Sequence, residues 1–277
     1  MSALYIVSTP IGNLSDMTLR AIEILKAVDH IAAEDTRHSQ KLLTHYDIHT
    51  PVFSLHDHNE EARIHTILSL LNDKKSVALI SDAGTPLISD PGFRLVRAVH
   101  DAHYKVIPIP GACAAIAALS ASGLPTDAFI FEGFLPTKKT ALIKQLEKLK
   151  SETRTIIFYE SVHRIQKTLQ AMQIVFGDNR MAVIARELTK SFETITKDTL
   201  KNLCMQMDNH PAQQKGEFVV MIAGDQSLPE QGQNAQVKAV LTILLREFPL
   251  KQAVKIACEI TGCPHNAAYA LALSLKN

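Results

Sequence analysis

The chain has 277 residues, of which 46% are hydrophobic and 21% are charged, and its formal net charge at pH 7 is +1. These values indicate a globular rather than a disordered chain, long enough for one or two domains with substantial apolar cores. A net charge so close to zero gives no global reason to expect nucleic-acid binding, so an RNA partner would need a local basic face.

The cysteines and the N-terminus bear on the cellular compartment. Four cysteines form no CxxC pair, which favours reduced, packed thiols over a zinc site or disulfides. His56 and His58 flank Asp57 at a spacing that suits a metal, but no further ligand cluster accompanies them, and we favour a solvated strand end. The apolar run at residues 4–7 is too short for a signal peptide, and no window is apolar enough to span a bilayer. We expect a cytoplasmic protein without a metal.

Taken in chain order, the first part alternates strands and helices. Short apolar runs predict strands at residues 4–7, 28–33, 52–55, 77–80 and 106–109. Helical patterns lie between them at residues 16–27, 39–46, 60–71 and 93–103. This alternation predicts a mostly parallel sheet covered by helices, with the loops that follow the strands on one rim.

The second part looks like a smaller mixed α+β domain. Strands are predicted at residues 129–134, 155–160, 181–185, 192–196 and 218–223, around a Lys-rich helix at 138–150. Helical periodicity returns at residues 237–247, 250–260 and 265–275, with spacing like that of a helix-turn-helix. The predicted fold class is α/β with two domains and a C-terminal helical segment. The predicted limits are 1–122, 123–225, a Gln- and Gly-containing linker at 226–236, and 237–277.

The most informative motif is SDAGTPLISDPG at residues 81–92, directly after a predicted buried strand. Gly84 and Gly92 permit unusual backbone conformations or a close ligand, while Pro86 and Pro91 fix the local path. In an open α/β sheet, ligands bind beyond the carboxyl ends of the strands, so we predict a binding loop rather than a solvated turn. Because GxGxxG and GKS or GKT motifs are absent, a Rossmann dehydrogenase and a P-loop nucleotidase are disfavoured.

Eight segments carry a family resemblance in chain order: TPIGNLSDMTLRA, AAEDTRHSQKLL, SDAGTPLISDPG, PGACAAIAALSASGLPT, FEGFLP, FYESVHR, RELTKSFE and KGEFVVMI. Through them the chain resembles the tetrapyrrole methylase superfamily, and within it the branch that methylates ribose 2′-hydroxyls of small-subunit ribosomal RNA. The resemblance implies a two-domain tetrapyrrole-methylase-like fold with S-adenosylmethionine in the cleft between the domains. It also implies a homodimer that acts on a cytidine ribose of the small ribosomal subunit.

The resemblance also implies which residues bind the cofactor. A loop with backbone donors, an apolar flank and one or two acceptors suits the adenine, ribose and charged groups of S-adenosylmethionine. Tyr159 is a candidate to stack on a base, although its apolar neighbours favour half-buried core equally. The implied cofactor-binding residues are Pro10, Asp82, Ala83, Gly84, Thr85, Leu87, Ile88, Ser89, Pro110, Gly111, Ala112 and Tyr159.

Methyl transfer to a ribose hydroxyl is an in-line displacement, and a positioned base or a cation that stabilises the developing alkoxide lowers its barrier. We expect two rim segments, residues 34–37 and 186–190, to contact the acceptor nucleotide. The sequence does not identify which residue is the general base. Glu160 and Arg164 are a further pair, for which a structural i,i+4 ion pair is the alternative. The catalytic candidates are Glu34, Asp35, Arg37, Arg186, Glu187 and Lys190.

A stripe of lysines marks the predicted helix at residues 138–150, and Lys138, Lys139 and Lys144 are candidates for RNA contact. A solvated helix face is the alternative reading. Two other functions stay open from the sequence. One is methylation of a tetrapyrrole or another small metabolite, and the other is a non-catalytic ribosome-assembly factor.

Overall fold

A computed structural model describes residues 2–56, 58–209, 216–226 and 228–276 of the chain. They form two compact units, one within residues 1–147 and 155–223 and the other within 148–154 and 224–277. Two five-stranded sheets belong to the first unit. The class predicted from the sequence, α/β with a parallel sheet, a mixed sheet and C-terminal helices, is confirmed.

The first sheet is parallel throughout, in the order β3-β2-β4-β1-β5. Its strands are β1 (Ala3–Val7), β2 (His30–Ala33), β3 (Val52–Ser54), β4 (Val77–Ile80) and β5 (Lys105–Ile109). The helices that alternate with them are α1 (Leu19–Ala27), α2 (Thr36–His45), α3 (Glu60–Asn72) and α4 (Phe93–Asp101). All four β4 residues are buried, as expected for a strand with both faces covered.

Two apolar clusters cover the two faces of this sheet. Leu25 and Ile31 belong to one cluster, and Leu4, Ile67 and Leu95 belong to the other. These five side chains are fully buried. The alternating strands and helices of the sequence therefore produce a two-sided core.

Helix caps explain where two predicted boundaries were wrong. The helix predicted to begin at residue 16 begins at Leu19, because Leu14–Asp16 forms a separate 3-10 turn and Thr18 accepts the Ala21 N–H at 3.2 Å. The helix predicted to begin at residue 39 begins at Thr36. There the Asp35 side chain accepts the Arg37 N–H at 2.8 Å, which is the usual work of an N-cap aspartate.

The second sheet is mixed, in the order β6-β7-β10-β8-β9. Its strands are β6 (Phe129–Phe134), β7 (Thr155–Glu160), β8 (Met181–Arg186), β9 (Thr194–Thr199) and β10 (Phe218–Ile222). Only the β6–β7 pairing within this described sheet is parallel. The associated helices are α5 (Ala114–Ser122), α6 (Lys139–Lys148), α7 (Ile165–Phe176) and α8 (Leu200–Asn209).

Helices α7 and α8 lie in stretches for which the sequence predicted no helix. In α7 the buried residues Ile165, Leu169, Met172 and Phe176 recur at helical spacing, so the signal was present in the sequence.

Helix α5 packs on the second sheet although it lies within the range predicted for the first domain. Its residues Ala115, Ala118 and Leu119 share a buried cluster with Ile157 and Met221. The chain therefore passes between the two sheets before α5 begins. The domain limits given from the sequence stay a prediction.

The C-terminal helices are α9 (Leu228–Glu247), α10 (Leu250–Thr261) and α11 (His265–Lys276). They share their own apolar core, which includes Val237, Leu241, Val254 and Ala268. The segment predicted as a linker at residues 226–236 is helical from Leu228 onward, and Ser227 lies outside the described residues. Among the helices that the structure describes, none combines the length and apolarity needed to cross a bilayer.

Candidate functional site

The loops that follow β1 and β4 meet at the carboxyl edge of the parallel sheet. The Thr9 N–H donates to the Gly84 carbonyl at 2.8 Å, and the Gly84 N–H donates to the Thr9 carbonyl at 3.0 Å. The Thr9 hydroxyl also donates to the Ser81 carbonyl at 3.2 Å. The expectation that these loops share one rim is confirmed.

The loop after β5 closes against the same rim. A Cβ on Gly111 would lie 2.7 Å from the Cβ of Ser8, so only glycine permits this approach of the two loops. The Ser8 and Thr85 hydroxyls are 3.0 Å apart, and the Thr85 hydroxyl donates to the Ala112 carbonyl at 3.0 Å. Gly111 and Ala112 therefore help to fix the three loops to one another.

A cavity of about 410 Å³, here called the first cavity, lies between this rim and the ends of the β7, β8 and β10 strands. Carboxylates, small residues, and aromatic and aliphatic side chains all contribute to its wall. The residues singled out from the sequence that line it are Glu34, Asp82, Ala83, Gly84, Thr85, Ile88, Ser89, Tyr159 and Glu160.

Five residues that the resemblance assigned to the cofactor lie outside the wall of the first cavity. Leu87 is half-buried and packs against the core of the parallel sheet. Pro110 is exposed, and Gly111 and Ala112 join the loops as described. Pro10 lines a neighbouring cavity instead.

Several residues of the first cavity were not singled out from the sequence. All of them lie within or next to the motifs that carried the family resemblance, so the motifs located the site while single residues within them were missed. They include Ile11, Asp90, Phe134, Leu188, Glu217, Phe218 and Val219.

Left-handed backbone conformations are concentrated in the segments around the cavity. Leu87 and Ser89 have φ values of 73° and 69°, and Glu187 and Thr189 have φ values of 51° and 66°. Such conformations cost non-glycine residues on the order of 1–3 kcal/mol each and persist where surrounding structure fixes them. The left-handed conformations in both segments therefore lower the stability of the protein somewhat, as is common in binding loops.

Tyr159 belongs to the cavity wall and to the core of the mixed sheet at once. Its ring lies 4.9 Å from that of Phe131 and 5.6 Å from that of Phe134, and its hydroxyl oxygen accepts the Ala115 N–H at 3.1 Å. Burial raises the pKa of the Tyr159 phenol well above its ordinary value. The side chain is thus a neutral, half-buried aromatic surface on the cavity wall, and its stacking on a base stays a prediction.

Asp90 is a half-buried carboxylate in the first cavity. Burial raises its pKa from the ordinary 3.8 to about 6, with Asp82 nearby adding to the rise and a hydrogen bond with Ser81 opposing it. At neutral pH the carboxylate is ionised at a cost, which a bound cation would relieve.

Asp90→Asn is expected to stabilise the unliganded protein at pH 7.5. The folded state holds the Asp90 proton more tightly than the unfolded chain, so wild-type stability falls as the pH rises from about 4 to about 6. Asp90→Asn does not ionise, so it does not lose stability over this pH range. The difference in melting temperature between Asp90→Asn and wild type should therefore shrink as the pH falls from 6 to 4. A difference in thermal unfolding that is constant over that window would contradict the assignment.

A second cavity, of about 540 Å³, adjoins the first. The β1 loop, one side of α2, the start of the β4 loop and Lys190 form its walls. The two cavities have a common boundary, here called the shared wall, formed by Ile11, Asp82, Ala83 and Glu217.

Lys190 is held by two carboxylates beside the second cavity. Its Nζ lies 2.9 Å from Glu187 Oε1 and 2.9 Å from Glu217 Oε2. Partial burial lowers the pKa of Lys190, but the hydrogen bonds to both carboxylates outweigh it and raise the pKa above its ordinary value. A Cβ on Gly12 would lie 2.6 Å from the Lys190 Cγ, so the glycine makes room for the lysine stem.

Glu187 is likewise fixed in place. Its Oε1 accepts the Glu217 N–H at 3.0 Å as well as the bond from Lys190. Burial raises the pKa of Glu187, but these hydrogen bonds hold it below its ordinary value. The segment that the sequence singled out at residues 186–190 thus presents a lysine paired with a glutamate.

The structure separates the three candidates of the Glu34–Arg37 segment. Glu34 lines the first cavity. The Asp35 N–H donates to Asp82 Oδ1 at 3.1 Å, while the Asp35 carboxylate caps α2 and pairs with Arg37 at 2.8 Å. The Arg37 guanidinium, through its hydrogen bond, keeps the pKa of Asp35 far below the ordinary value. Arg37 itself is 90% exposed and lines neither of the two cavities.

The remaining charged candidates have structural contacts. Arg186 is half-buried and donates to the Phe192 carbonyl at 3.3 Å. Glu160 accepts the Thr168 hydroxyl at 2.6 Å and lies 3.5 Å from Arg164. Glu160 and Arg164 therefore form the ion pair that the sequence analysis gave as the alternative.

Lys138, Lys139 and Lys144 are all exposed, at the start of α6 and along it. Within residues 2–56, 58–209, 216–226 and 228–276, no three His, Cys, Asp or Glu side chains are grouped as metal ligands would be. Asp57 of the His56–His58 motif lies outside the described residues.

Comparisons with known proteins agree with this geometry. Residues 3–204 match the sequence model of the family described as Tetrapyrrole (Corrin/Porphyrin) Methylases, and residues 231–276 match that of the RsmI C-terminal HTH domain. A protein of Haemophilus influenzae named Ribosomal RNA small subunit methyltransferase I is 51% identical over 275 residues, covering 98% of this chain and 96% of the relative.

Solved structures share the fold at low identity. A diphthine synthase aligns with a TM-score of 0.62 and 18% identity, over 80% of this chain and 90% of that one. The uroporphyrin-III C-methyl transferase of Thermus thermophilus, complexed with S-adenyl homocysteine, aligns with a TM-score of 0.54 and 14% identity, over 80% of this chain and 97% of that one. From the match over residues 3–204 and the identity of about half its residues to a full-length relative, the chain belongs to the tetrapyrrole methylase family.

Proposed function

We propose that this protein methylates the 2′-hydroxyl of a cytidine ribose in small-subunit ribosomal RNA, with S-adenosylmethionine as the methyl donor and the assembled subunit as substrate. The observation that carries the proposal is the pair of adjoining cavities with one shared wall. Such an arrangement holds two reactants side by side, which is the main requirement of an in-line transfer. The Haemophilus influenzae relative, 51% identical and named for small-subunit ribosomal RNA methylation, supports the substrate class.

The first cavity fits the donor chemically. Tyr159 and Phe134 offer aromatic surface for an adenine, and Ile88, Leu188 and Val219 offer apolar surface. The carboxylates on its wall are acceptors for ribose hydroxyls and partners for cationic groups, and its volume suits a ligand of this size. The complex of a structural neighbour with S-adenyl homocysteine supports the same ligand class. The proposed carboxylate contacts are Glu34, Asp82 and Asp90.

In this proposal, residues at the second cavity act on the methyl acceptor. When bound, S-adenosylmethionine supplies a methyl carbon activated by a sulfonium. Lys190, whose pKa is raised by its carboxylate partners, stays protonated and stabilises the negative charge that develops on the ribose oxygen. Glu187 and Glu217 position its ammonium group.

The proposal is tested by methyl transfer to isolated small subunits from cells that lack this protein. We expect label from S-adenosylmethionine in a single 2′-O-methylated cytidine, identified by nuclease digestion and mass spectrometry. Label that enters only a porphyrinoid would favour the small-metabolite alternative. Donor binding without transfer to any acceptor would favour the assembly-factor alternative.

The exposed lysines of α6 give a separate prediction. If Lys139 and Lys144 contact phosphates, the double variant to alanine should make the salt dependence of subunit binding shallower, by roughly 0.7–0.9 log units per log unit of salt for each contact. Lys201→Ala on α8, also exposed, is the matched control. An unaltered slope in the double variant would indicate that these lysines form an ordinary solvated helix face.

Three further predictions accompany the function. Because the proposed acceptor is the ribosomal subunit, we place the reaction in the cytoplasm, with no membrane involved. A homodimer stays a prediction of the family resemblance, to be tested by light scattering of the purified protein. The helix-turn-helix unit of α9, α10 and α11 is a second candidate for RNA contact.

A further inference from the structure

The second cavity has features that the donor site does not explain. Its volume of about 540 Å³ lies in the range of roughly 300–1,000 Å³ that is usual for sites that take one small ligand. Residues from α2 enter its wall but not that of the first cavity, so it extends away from the shared wall. The α2 residues concerned are His38, Ser39, Lys41 and Leu42.

Ser39 is the most informative of these residues. It is only 3% exposed, and its Oγ has no hydrogen-bond partner among the residues that the structure describes. Its backbone N–H is already used within the helix, donating to the Asp35 carbonyl at 3.0 Å. Buried hydroxyls are normally hydrogen-bonded, so an unpartnered one on a cavity wall indicates a polar ligand atom.

Charged residues line the cavity both at the shared wall and on the α2 side. Asp82 and Glu217 stand at the shared wall, with Lys190 held against Glu217 at 2.9 Å. Lys41 lies on the α2 side and is exposed. An exposed cation on the cavity wall suits a phosphate of an RNA strand, and the buried Ser39 contributes a hydroxyl to the same α2 side.

We infer that the second cavity takes one nucleotide extruded from the RNA, with its ribose at the shared wall and its nucleobase hydrogen-bonded to the Ser39 hydroxyl. This inference rests on the proposed function and adds how the acceptor is recognised. A ribose hydroxyl within a stacked strand cannot enter an enclosed site, and enzymes that modify nucleotides meet this difficulty by turning the target out of the stack. Sequence-specific RNA recognition likewise reads unstacked bases through their polar edges.

The first experiment compares Ser39→Ala with wild type in methyl transfer to unmodified small subunits. We expect kcat/KM to fall about tenfold, because the nucleobase loses its partner, while the affinity for S-adenosylmethionine by calorimetry is unchanged. Alanine is a better helix former than serine, so α2 should fold. Thr44→Ala, an exposed hydroxyl of the same helix outside both cavities, should match wild type.

The second experiment places a fluorescent pyrrolocytidine at the methylated position of reconstituted subunits. Its emission should rise when wild-type protein binds, because the base leaves the stack. If wild type transfers methyl groups but Ser39→Ala has an equal kcat/KM, the nucleobase contact is wrong. If emission does not change on binding, extrusion is wrong. If wild type transfers nothing to subunits, the proposed function itself fails, and this inference with it.

Discussion

Asp82→Asn is expected to weaken the binding of S-adenosylmethionine by roughly 10- to 150-fold. Asp82 lines both cavities, and hydrogen bonds to an ionised group contribute about 1.5–3 kcal/mol, with each 1.4 kcal/mol equal to a factor of ten. Asparagine keeps an oxygen for the Asp35 N–H, which now lies 3.1 Å from the Asp82 carboxylate, so the loop should keep its conformation. Titration calorimetry of the purified variant measures the loss.

The control for this substitution is Asp101→Asn at the end of α4. Asp101 is 73% exposed and its contact with Arg97 is long at 3.9 Å, so both folding and donor affinity should match wild type. Thermal unfolding shows whether Asp82→Asn is folded. If folded Asp82→Asn binds S-adenosylmethionine as tightly as wild type, Asp82 does not contact the donor.

Lys190→Met should lower kcat by about 100-fold while leaving the affinity for S-adenosylmethionine nearly unchanged. Loss of one preorganised group that stabilises a developing oxyanion typically costs a factor of 100 to 1,000. Lys190 lines the second cavity and not the first, so the effect should fall on the chemical step. Single-turnover methyl transfer on saturating subunits separates this step from binding.

Lys190→Arg keeps the positive charge and should therefore recover part of the rate that Lys190→Met loses. If Lys190 were purely structural, the rate would not depend on this charge. The methionine variant leaves Glu187 and Glu217 without their common partner, so its stability is measured alongside. Lys201→Met, at an exposed position of α8, controls for loss of a lysine elsewhere. A kcat equal to wild type in folded Lys190→Met would refute the proposed role.

The sequence predicted the positions of the strands along the chain best. It was least informative about which strands lie next to each other in a sheet. Val77–Ile80, Phe129–Phe134 and Thr155–Glu160 were predicted to the residue, because each is an apolar run bounded by polar or turn-forming residues. The placement of β10 between β7 and β8 depends on pairing between segments far apart in the chain, and no local pattern reports it.

The same distinction applies to the site. Residues 82–85 were found because they share one motif, and all four line the first cavity. Glu217 lies just before β10, whose Phe218 pairs with Arg186 of β8. Its segment carried the family resemblance, but no local pattern within that segment singled out Glu217. For Asp35 the signal was present, since an aspartate before a helix is a common cap, and the structure shows that cap.

The shared wall limits how this fold can acquire new substrates. Ile11, Asp82, Ala83 and Glu217 line both cavities, so under the proposed function we expect an exchange there to alter donor and acceptor binding together. The α2 residues His38, Ser39, Lys41 and Leu42 line the second cavity alone, so we expect exchanges there to leave donor binding unaffected. Redesign toward a different methyl acceptor should therefore begin on α2, and natural divergence of specificity should accumulate on the same surface.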